Sequence, residues 1–444
     1  MNVMHYSLGV YPERQGGLVK YSTDLAFSEC EENQVFYCYP GKLGLLDHST
    51  SIKPAGNMGS LKLFKIQNAH PIPLYNGIVN VEIYTQKCNI NVFINFLKIN
   101  KIDVIHLHTI MGLHIELLKA AKILSIPVVM TTHDFFGICP VTKLFKLGDV
   151  CGNNCIDDRC YECSKKAFGY LKLVVGQSIL YKKLKRMGII SSLRQKSLTS
   201  EENRNTKQEI CYVNYKKLND YYVEIFKLIN LYLFNSNQTK SVFLNRLPFV
   251  RGVVIPVEHN NMVYRSVRRT FMKEDILRLG YMGECTDFKG YEVLKTVVNQ
   301  LVYEGYNIKL FVYNDYVEET DNIKRGGKYS QDDLYDIYDK LDLIVVPSMW
   351  YETFGFVVVE ALAQSMPCLV TNRVGAKDYI VNEKSGFIIN ASQQDLLNAI
   401  IEIYNHCEKL QNVNRYLMNN GIQVNYDMHV KKILDIYHMV MESE

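Results

Sequence analysis

The stretch PSMWYETFGFVVVEALAQSMPCLVTN (residues 347–372) decides the fold of this chain. LIVVP (343–347) is a short apolar run bounded by a turn, which is typical of a buried parallel strand. FVVVEALAQS (356–365) predicts the helix that follows, and PCLVT predicts the next strand. The stretch is therefore predicted to be one β-α-β unit, with Glu352 in the strand-to-helix loop and Glu360 on the helix.

The loop of this unit is a candidate ligand site. In an open parallel sheet, ligands bind at the carboxyl ends of the strands. The amides of Phe354, Gly355 and Phe356 would open a helix N-terminus, which attracts phosphate. Glu352 would lie beside that phosphate and suits the sugar hydroxyls of a nucleotide sugar. Glu360, about two turns along the helix, suits its ribose hydroxyls. Two solvated glutamates would explain a bare E-x7-E better, but the surrounding P-S-x-W-x-E-x-F-G favours the ligand site.

This segment resembles the donor-binding signature of retaining glycosyltransferases with the GT-B fold, specifically glycosyltransferase family 4 (glycosyl transferases group 1). The resemblance is dense from about residue 279 to residue 387 and continues toward the N-terminus as scattered landmarks. It implies two facing Rossmann-like domains with a cleft between them, and a C-terminal helix that crosses back to the N-terminal domain.

The rest of the chain predicts the same α/β architecture, because apolar strands alternate with helices along it. At 444 residues, the chain is long enough for two domains. We expect an acceptor domain over residues 1–240, with a basic helical insertion over about 164–222. A nucleotide-sugar donor domain is expected over 241–424, and the crossing helix over 425–444.

The composition excludes several classes of protein. Apolar residues make up 48% of the chain and charged residues 22%, as in an ordinary soluble protein. A net charge of +4 argues against a dedicated nucleic-acid binder. No apolar run approaches the roughly 18 residues of a membrane helix, and the N-terminus lacks the pattern of a signal peptide. We therefore expect a cytoplasmic protein with no nucleic-acid partner.

The segment 165–196 is basic and amphipathic, with no acidic residue. A solvated helical face would explain this pattern, and contact with anionic lipid or with a phosphorylated acceptor would explain it equally well. Peripheral binding to the inner face of the cell membrane is thus one expectation. The basic residues of the segment are Lys165, Lys166, Lys172, Lys182, Lys183, Lys185, Arg186, Arg194 and Lys196.

A departing diphosphate must be neutralised, and the sequence contains no D-x-D triplet that would hold a metal for this purpose. Basic side chains and helix N-termini would then do so. Lys289 is the candidate, because it directly precedes Gly290 at the predicted start of a helix. Family members usually have an Arg a few residues earlier, where this chain has Glu284. The missing charge could come from another basic residue: Lys324, Arg325 or Arg373.

The resemblance also assigns roles outside the quoted stretch. Gly16 and Gly17, between a strand and a helix, would lie beside the diphosphate and the acceptor, and glycine lets backbone approach a ligand closely. His133 and Asp134 end a strand and would contact the transferred sugar. Gly375 would lie near the sugar. Glu352, His133 and Lys289 are the expected catalytic residues, acting by charge and positioning.

Four of the 12 cysteines crowd into one short segment: Cys151, Cys155, Cys160 and Cys163. In a reducing compartment such a cluster suggests a metal rather than disulfides. The spacing C-x3-C-x4-C-x2-C offers four thiolates for structural zinc, although only the last pair has the spacing of a standard zinc knuckle. A loop of free thiols, or an occasional disulfide, is the alternative.

The predicted activity is transfer of a hexose, with retention, from a nucleotide sugar to a glycan or lipid-linked saccharide in surface-polysaccharide synthesis. We expect this reaction to require no cofactor. Two other classes remain on the same architecture. One is a nucleotide-sugar epimerase, and the other is an inactive family member that binds nucleotide sugar. A phosphorylase would need a cofactor lysine or a phosphate-binding pair of arginines, which the sequence does not show. The residues leave the sugar, the base and the acceptor open.

Overall fold

Short apolar runs form the buried strands of two parallel sheets, as the alternating pattern predicts. The computed structural model describes residues 1–44, 47–73, 76–146, 148–152, 158–165, 167–177, 213–271, 276–315, 317–330 and 333–443. The strands of the first sheet are β1 (Asn2–Tyr6), β2 (Gln34–Pro40), β3 (Ser51–Met58), β4 (Leu61–Gln67), β5 (Val104–Leu107), β6 (Val128–Thr132), β9 (Leu231–Phe234) and β10 (Gly252–Val254). A separate hairpin pairs β7 (Phe145–Lys146) with β8 (Asp149–Val150). The strands of the second sheet are β11 (Leu277–Tyr281), β12 (Ile308–Val312), β13 (Ile323–Arg325), β14 (Leu343–Val346), β15 (Cys368–Thr371) and β16 (Phe387–Ile389).

Helices connect the strands of both sheets. In the first half of the chain they are α1 (Gly17–Glu29), α2 (Glu82–Thr85), α3 (Asn91–Ile99), α4 (Ile115–Ile123), α5 (Asp158–Ser164), α6 (Tyr170–Gln177), α7 (Tyr215–Phe226) and α8 (Asn237–Arg246). In the second half they are α9 (Tyr291–Tyr303), α10 (Leu334–Tyr338), α11 (Phe356–Ala363), α12 (Gln393–Asn405), α13 (Glu408–Asn420) and α14 (Tyr426–Glu442). No helix in these described parts of the chain is both long and apolar enough to cross a membrane.

The first sheet has the strand order β10-β9-β6-β5-β1-β2-β4-β3. Its strands pair in parallel, except for the antiparallel β3 at the edge. Because β10 pairs with β9, residues 252–254 belong to this sheet. The domain boundary expected after residue 240 is therefore corrected: the first domain extends past it, because α8 and β10 complete its last β-α-β unit.

The second sheet has the strand order β13-β12-β11-β14-β15-β16, and all of its pairs are parallel. The predicted β-α-β unit of the quoted stretch is β14, α11 and β15. The predicted helix after Lys289 is α9, and Gly290 precedes it with φ 77°. A Cβ on Gly290 would lie 1.9 Å from the carbonyl oxygen of Pro347, so only glycine fits between these two loops.

The carboxyl ends of the strands in both sheets meet across a cleft, as polar contacts between the loops demonstrate. Thr353, which follows β14, donates from its hydroxyl to the carbonyl oxygen of His133, which follows β6, at 2.9 Å. Ser236, which follows β9, donates to the carbonyl oxygen of Thr353 at 2.7 Å. The two domains thus face each other at the edge where open parallel sheets bind ligands.

Helix α14 packs back on the N-terminal domain, which confirms the predicted crossing helix. Its buried residues are spaced as one helical stripe: His429, Ile433, Ile436, Tyr437 and Val440. The stripe joins the core of the second domain to strand residues of the first, such as Val3 and Val104. The side chain of Asn425 caps the helix by accepting from the amide of Met428.

Buried polar contacts fix the position of α14. The hydroxyl of Tyr437 donates to Oε1 of Glu29 at 3.0 Å and lies 2.5 Å from Nδ1 of His106. The hydroxyl of Tyr21 lies 2.9 Å from Nε2 of His429. Tyr437 and His106 are fully buried, and Glu29 is nearly so. The helix is therefore held by a specific polar network as well as by apolar packing.

We expect Tyr437→Phe to lower the free energy of unfolding by about 1–3 kcal/mol, because it removes the buried partner of Oε1 of Glu29 and of Nδ1 of His106. Thermal unfolding of the full chain measures the change. Tyr303→Phe is the matched control, because Tyr303 is 93% exposed. Equal unfolding temperatures for the two variants would contradict a structural role for this network.

Candidate active site

The carboxylate of Glu352 lies at the carboxyl end of β14 and is held by two donors. Nζ of Lys289 donates to its Oε1 at 2.5 Å, and Oγ of Ser348 donates to its Oε2 at 2.5 Å. The Glu352 side chain is 15% exposed and that of Lys289 is 21% exposed. The structure thus brings two of the three predicted catalytic residues into direct contact.

Glu352 is ionised despite its burial. Burial alone would raise the pKa of its carboxyl, but the Lys289 ammonium and the hydrogen bonds from Lys289 and Ser348 outweigh burial and lower the pKa below its ordinary value. The ammonium of Lys289 also lies 5.0 Å from the centre of the Trp350 ring. A charged pair therefore stands where β11 and β14 end.

Two helices from different domains begin at this end of the cleft. Gly355 precedes α11 with φ 99°, and Gly16 precedes α1 with φ 126°. A Cβ on Gly17 would lie 2.8 Å from the ring of Phe356, so the first residues of α1 and α11 are in contact. The glycine pair predicted to let backbone approach closely does so here, against the opposite domain.

Neither N-terminus is neutralised by its own sequence. The first turns of α1 and α11 contain no acidic residue, and no side chain caps them among the described residues. Helix N-termini carry partial positive charge and unsatisfied amide donors. Two of them together, beside the Lys289 ammonium, form a site that favours an anion such as a diphosphate.

Glu360 lies on α11 as predicted, and it is buried rather than open to solvent. Its Oε1 lies 3.0 Å from Nε2 of His259, in the segment that links the two domains. Only 7% of Glu360 and 2% of His259 is exposed. The contact of Glu360 with ribose stays a prediction, and His259 is the residue that orients its carboxylate.

His133 and Asp134 follow β6 and line the opposite side of the cleft. Burial lowers the pKa of His133 to about 3, so its ring is neutral. Its Nε2 is buried and has no hydrogen-bond partner in the described part of the chain. Burial raises the pKa of Asp134 to about 6. The amide of Phe136 and the hydroxyl of Thr109 donate hydrogen bonds to its carboxylate and offset part of this rise.

The loops of the two domains are latched by residues 236–239. Besides Ser236, Gln238 donates to the carbonyl oxygens of Glu352 and Arg373 at 3.1 Å and 2.5 Å. The backbone of Asn237 donates to Asp378 at 2.8 Å. Gly375 lies inside this latch, and its amide donates to the Glu352 carbonyl oxygen at 2.9 Å. The latch fixes the backbone on which the Glu352 side chain is mounted.

An aromatic cluster with a second cation closes another side of the cleft. Phe145 of the first domain packs with Phe288 and Trp350 of the second. The ammonium of Lys143 lies 4.3 Å from the centre of the Phe288 ring. Burial lowers the pKa of Lys143. Since Lys289 contacts Trp350 and the two rings are 4.9 Å apart, cations from both domains flank one aromatic pair.

Sequence reasoning missed several residues of this site. Ser348 lies within the quoted motif, and its position after a strand was a usable signal. Lys143, Gln238 and His259 are single residues far from the motif, and only the folded chain brings them near it. Glu284 is exposed, so its side chain does not occupy the cleft core.

The predicted zinc loop and basic segment are described only in part. Cys160 is buried and Cys163 is half-buried on α5, Cys151 is half-buried after β8, and Cys155 lies outside the described residues. Zinc binding there stays a prediction. Of the basic segment, residue 166 and residues 178–196 also lie outside the described residues.

Comparison with known proteins agrees with the geometry. Residues 267–420 match the family model described as "Glycosyl transferases group 1". The chain is 32% identical over 122 residues to the capsular polysaccharide biosynthesis glycosyltransferase CapM of Staphylococcus aureus, covering 25% of this chain and 32% of CapM. It is 27% identical over 174 residues to the lipopolysaccharide 1,2-N-acetylglucosaminetransferase of Salmonella typhimurium, covering 33% of this chain and 45% of the relative. The chain thus spans less than half the length of these relatives.

The whole chain resembles solved structures in its fold. HepE from Anabaena, in complex with UDP-glucose, superposes with a TM-score of 0.55 at 12% identity and covers 100% of both chains. The fold is GT-B, which confirms the predicted fold class.

We expect Gly375→Ala to lower the unfolding temperature, because the added Cβ would lie 2.1 Å from the carbonyl oxygen of Thr353 and would displace the latch. A forced shift of this kind costs about 1–3 kcal/mol. Gly176→Ala on α6 is the control, because a Cβ there meets no atom within 4 Å. An unfolding temperature for Gly375→Ala that equals the wild-type value would contradict this reading of the latch.

Proposed function

We propose that the protein is a retaining, metal-independent glycosyltransferase of the family 4 type. It would transfer a hexose from a nucleotide sugar to a glycan or lipid-linked saccharide. The observation that carries the proposal is the meeting of two uncapped helix N-termini beside the Lys289–Glu352 pair. The family match over residues 267–420 and the GT-B fold support it, as does the sugar nucleotide bound in the HepE structure.

The diphosphate of the donor would lie at the N-termini of α1 and α11. Their free amides would bind its oxygens, and Lys289 would supply a full positive charge. We assign the second charge to Lys143, which flanks the same aromatic pair from the other domain. This lysine would substitute for the arginine that family members usually have where this chain has Glu284.

The transferred sugar would lie between Glu352 and the residues after β6. The ionised Glu352 accepts hydrogen bonds from sugar hydroxyls while Lys289 and Ser348 keep it in place. The unpaired Nε2 of His133 and the Asp134 carboxylate would bind hydroxyls on the opposite side. Glu360, oriented by His259, would accept from ribose hydroxyls.

The chemistry fits a front-face substitution. The bond between the anomeric carbon and the diphosphate oxygen breaks, and the acceptor oxygen bonds to the same face of that carbon. The acceptor proton passes to the leaving phosphate oxygen, so no separate base is needed. The protein then contributes positioning and electrostatic stabilisation of the diphosphate charge.

The acceptor is proposed from the relatives and the charge of the chain. CapM is named for capsular polysaccharide biosynthesis, and the Salmonella relative for lipopolysaccharide. We propose a similar surface polysaccharide as the product, made on the cytoplasmic side of the membrane. The basic segment 165–196 would bind anionic lipid there. Liposome co-sedimentation that does not depend on anionic lipid or on salt would refute the membrane contact.

A panel of nucleotide sugars and nucleoside diphosphates tests the proposed donor class. Ligand binding to the folded state raises the unfolding temperature with occupancy. The donor found in this way is then incubated with saccharide acceptors and with no acceptor. Transfer with retention supports the proposal. Epimer formation without an acceptor favours an epimerase, and binding with neither reaction favours an inactive member.

We expect Glu352→Gln to lower kcat by roughly a hundredfold, because a neutral amide accepts hydrogen bonds from the sugar hydroxyls more weakly than a carboxylate does in the transition state. The folded state should persist, since Ser348 and the latch keep their backbone contacts. Steady-state kinetics measure kcat and KM. Glu304→Gln is the control on the exposed end of α9, and activity of Glu352→Gln equal to that of the control would contradict the assignment.

The donor KM should depend on pH through Asp134, whose pKa lies at about 6. Above that pH the ionised carboxylate accepts hydrogen bonds from sugar hydroxyls, and below it the carboxyl is protonated. The KM for the donor should therefore rise as the pH falls from 7 to 5. Asp134→Asn should flatten this part of the profile. An unchanged pH profile in that variant would remove Asp134 from the donor site.

A further inference from the structure

A second cluster of ligand-type side chains lies in the first domain, on elements separate from the cleft residues. It consists of Cys88, His114 and Glu116. Each offers one ligand atom, and these three atoms all lie within 4.8 Å of one another. Sγ of Cys88 and Oε2 of Glu116 are 3.6 Å apart.

The fold brings these residues together from two places. His114 is the residue before α4, and Glu116 lies in the first turn of that helix. Cys88 lies in the connection between α2 and α3. His114 and Glu116 are 5% exposed, and Cys88 is half-buried. Cys88 is therefore the most exposed of the three residues.

One ring nitrogen of His114 is left without a hydrogen bond within the described residues. Its Nε2 lies 2.8 Å from the carbonyl oxygen of Asn68, which can only accept a hydrogen bond. Nε2 therefore carries the proton, and Nδ1 has a lone pair. Nδ1 is buried and has no hydrogen-bond partner among the residues that the structure describes. A backbone carbonyl that fixes the other nitrogen is the usual support of a metal-binding histidine.

No basic side chain pairs with the cluster among the described residues, and the start of α4 supplies only partial positive charge to Glu116. Glu116 is buried, and no ion pair to it occurs within the described ranges of the chain. A buried carboxylate without a cation is costly. The hydrogen bond from the Cys88 thiol supplies no charge. A divalent cation would balance the Glu116 carboxylate and a Cys88 thiolate together.

The other buried group of possible metal ligands, three histidines near α14, suits a metal ion less well. Ligand atoms of His5, His106 and His108 also lie within 4.8 Å of one another. Both ring nitrogens of His5 already contact His108 and Glu29, and both of His106 contact Tyr437 and Thr131. A metal there would have to displace the network that holds α14.

We propose that Cys88, His114 and Glu116 form a zinc site, with Sγ, Nδ1 and a carboxylate oxygen as ligands. Zinc bonds sulfur at about 2.3 Å and nitrogen or oxygen at about 2.0–2.2 Å in a tetrahedron, which separates ligand atoms by roughly 3.5 Å. The Cys88–Glu116 distance of 3.6 Å fits this spacing. On binding, sulfur bonds to the metal and the thiol proton leaves to solvent. Water takes the fourth position on the exposed side of Cys88.

The proposed site has a structural consequence that does not involve the transfer reaction. It would join the α2–α3 connection to the start of α4 with bonds far stronger than the single thiol contact. Zinc should therefore raise the unfolding temperature of the full chain after chelator treatment. This readout is independent of the donor, of the acceptor and of activity.

Cobalt titration of the chelator-treated full chain tests the proposal directly. Bound Co²⁺ should give thiolate-to-cobalt charge-transfer absorption that saturates with one ion at this site. Cys88→Ser should abolish the sulfur band, and His114→Gln should weaken Co²⁺ binding at least tenfold. Cys30→Ser is the matched control, because Cys30 is also half-buried beside a carboxylate residue, Glu29. Circular dichroism confirms that each variant is folded.

The absence of Co²⁺ and Zn²⁺ binding would overturn the proposal. So would a sulfur band that persists when Cys88→Ser is combined with Cys151→Ser and Cys163→Ser. A double variant, Cys151→Ser with Cys163→Ser, separates the two candidate zinc sites: loss of the whole band there places the ion in the other loop. X-ray absorption of the zinc-loaded wild type needs no variant. One sulfur with nitrogen and oxygen ligands supports the proposed site, and a four-sulfur shell contradicts it.

Discussion

The contact between the first turns of α1 and α11 is the constraint on which the rest of the cleft depends. Both helices point their positive ends at one place, and Gly17 is small enough to admit the Phe356 ring from the other domain. A carboxylate in either first turn would cancel that field. The Lys289–Glu352 pair lies beside these N-termini. Because Lys289 already neutralises the Glu352 carboxylate, the backbone amides of the helices stay available to an anionic ligand.

Two features hold the domains in the arrangement that this contact requires. The latch at residues 236–239 fixes the backbone on both sides of Glu352. Helix α14 returns to the first domain and carries Tyr437 into contact with Glu29 and His106. Both features set the distance between the two sheets, and so they determine whether the two helix N-termini can act on one ligand.

The sequence predicted the features that are local in the chain. The motif at residues 347–372 predicted β14, α11 and β15, because apolar runs and a turn suffice to specify a β-α-β unit. The sequence also predicted that Glu352 and Lys289 lie in loops that follow strands. It could not predict that Lys289 bonds to Glu352, or that His259 bonds to Glu360, because these contacts depend on how loops from different β-α units meet. The domain boundary was placed too early for a similar reason: the pairing of β10 with β9 is long-range.

Ligands that differ only in phosphate number test directly whether the two helix N-termini and Lys289 bind a diphosphate. Isothermal calorimetry in the presence of a chelator would measure the affinity of the full chain for a nucleoside diphosphate and for the matching monophosphate. We expect the diphosphate to bind at least tenfold more tightly and Lys289→Ala to remove most of this difference. Equal affinities, or binding of the diphosphate only when a divalent metal is added, would contradict this expectation.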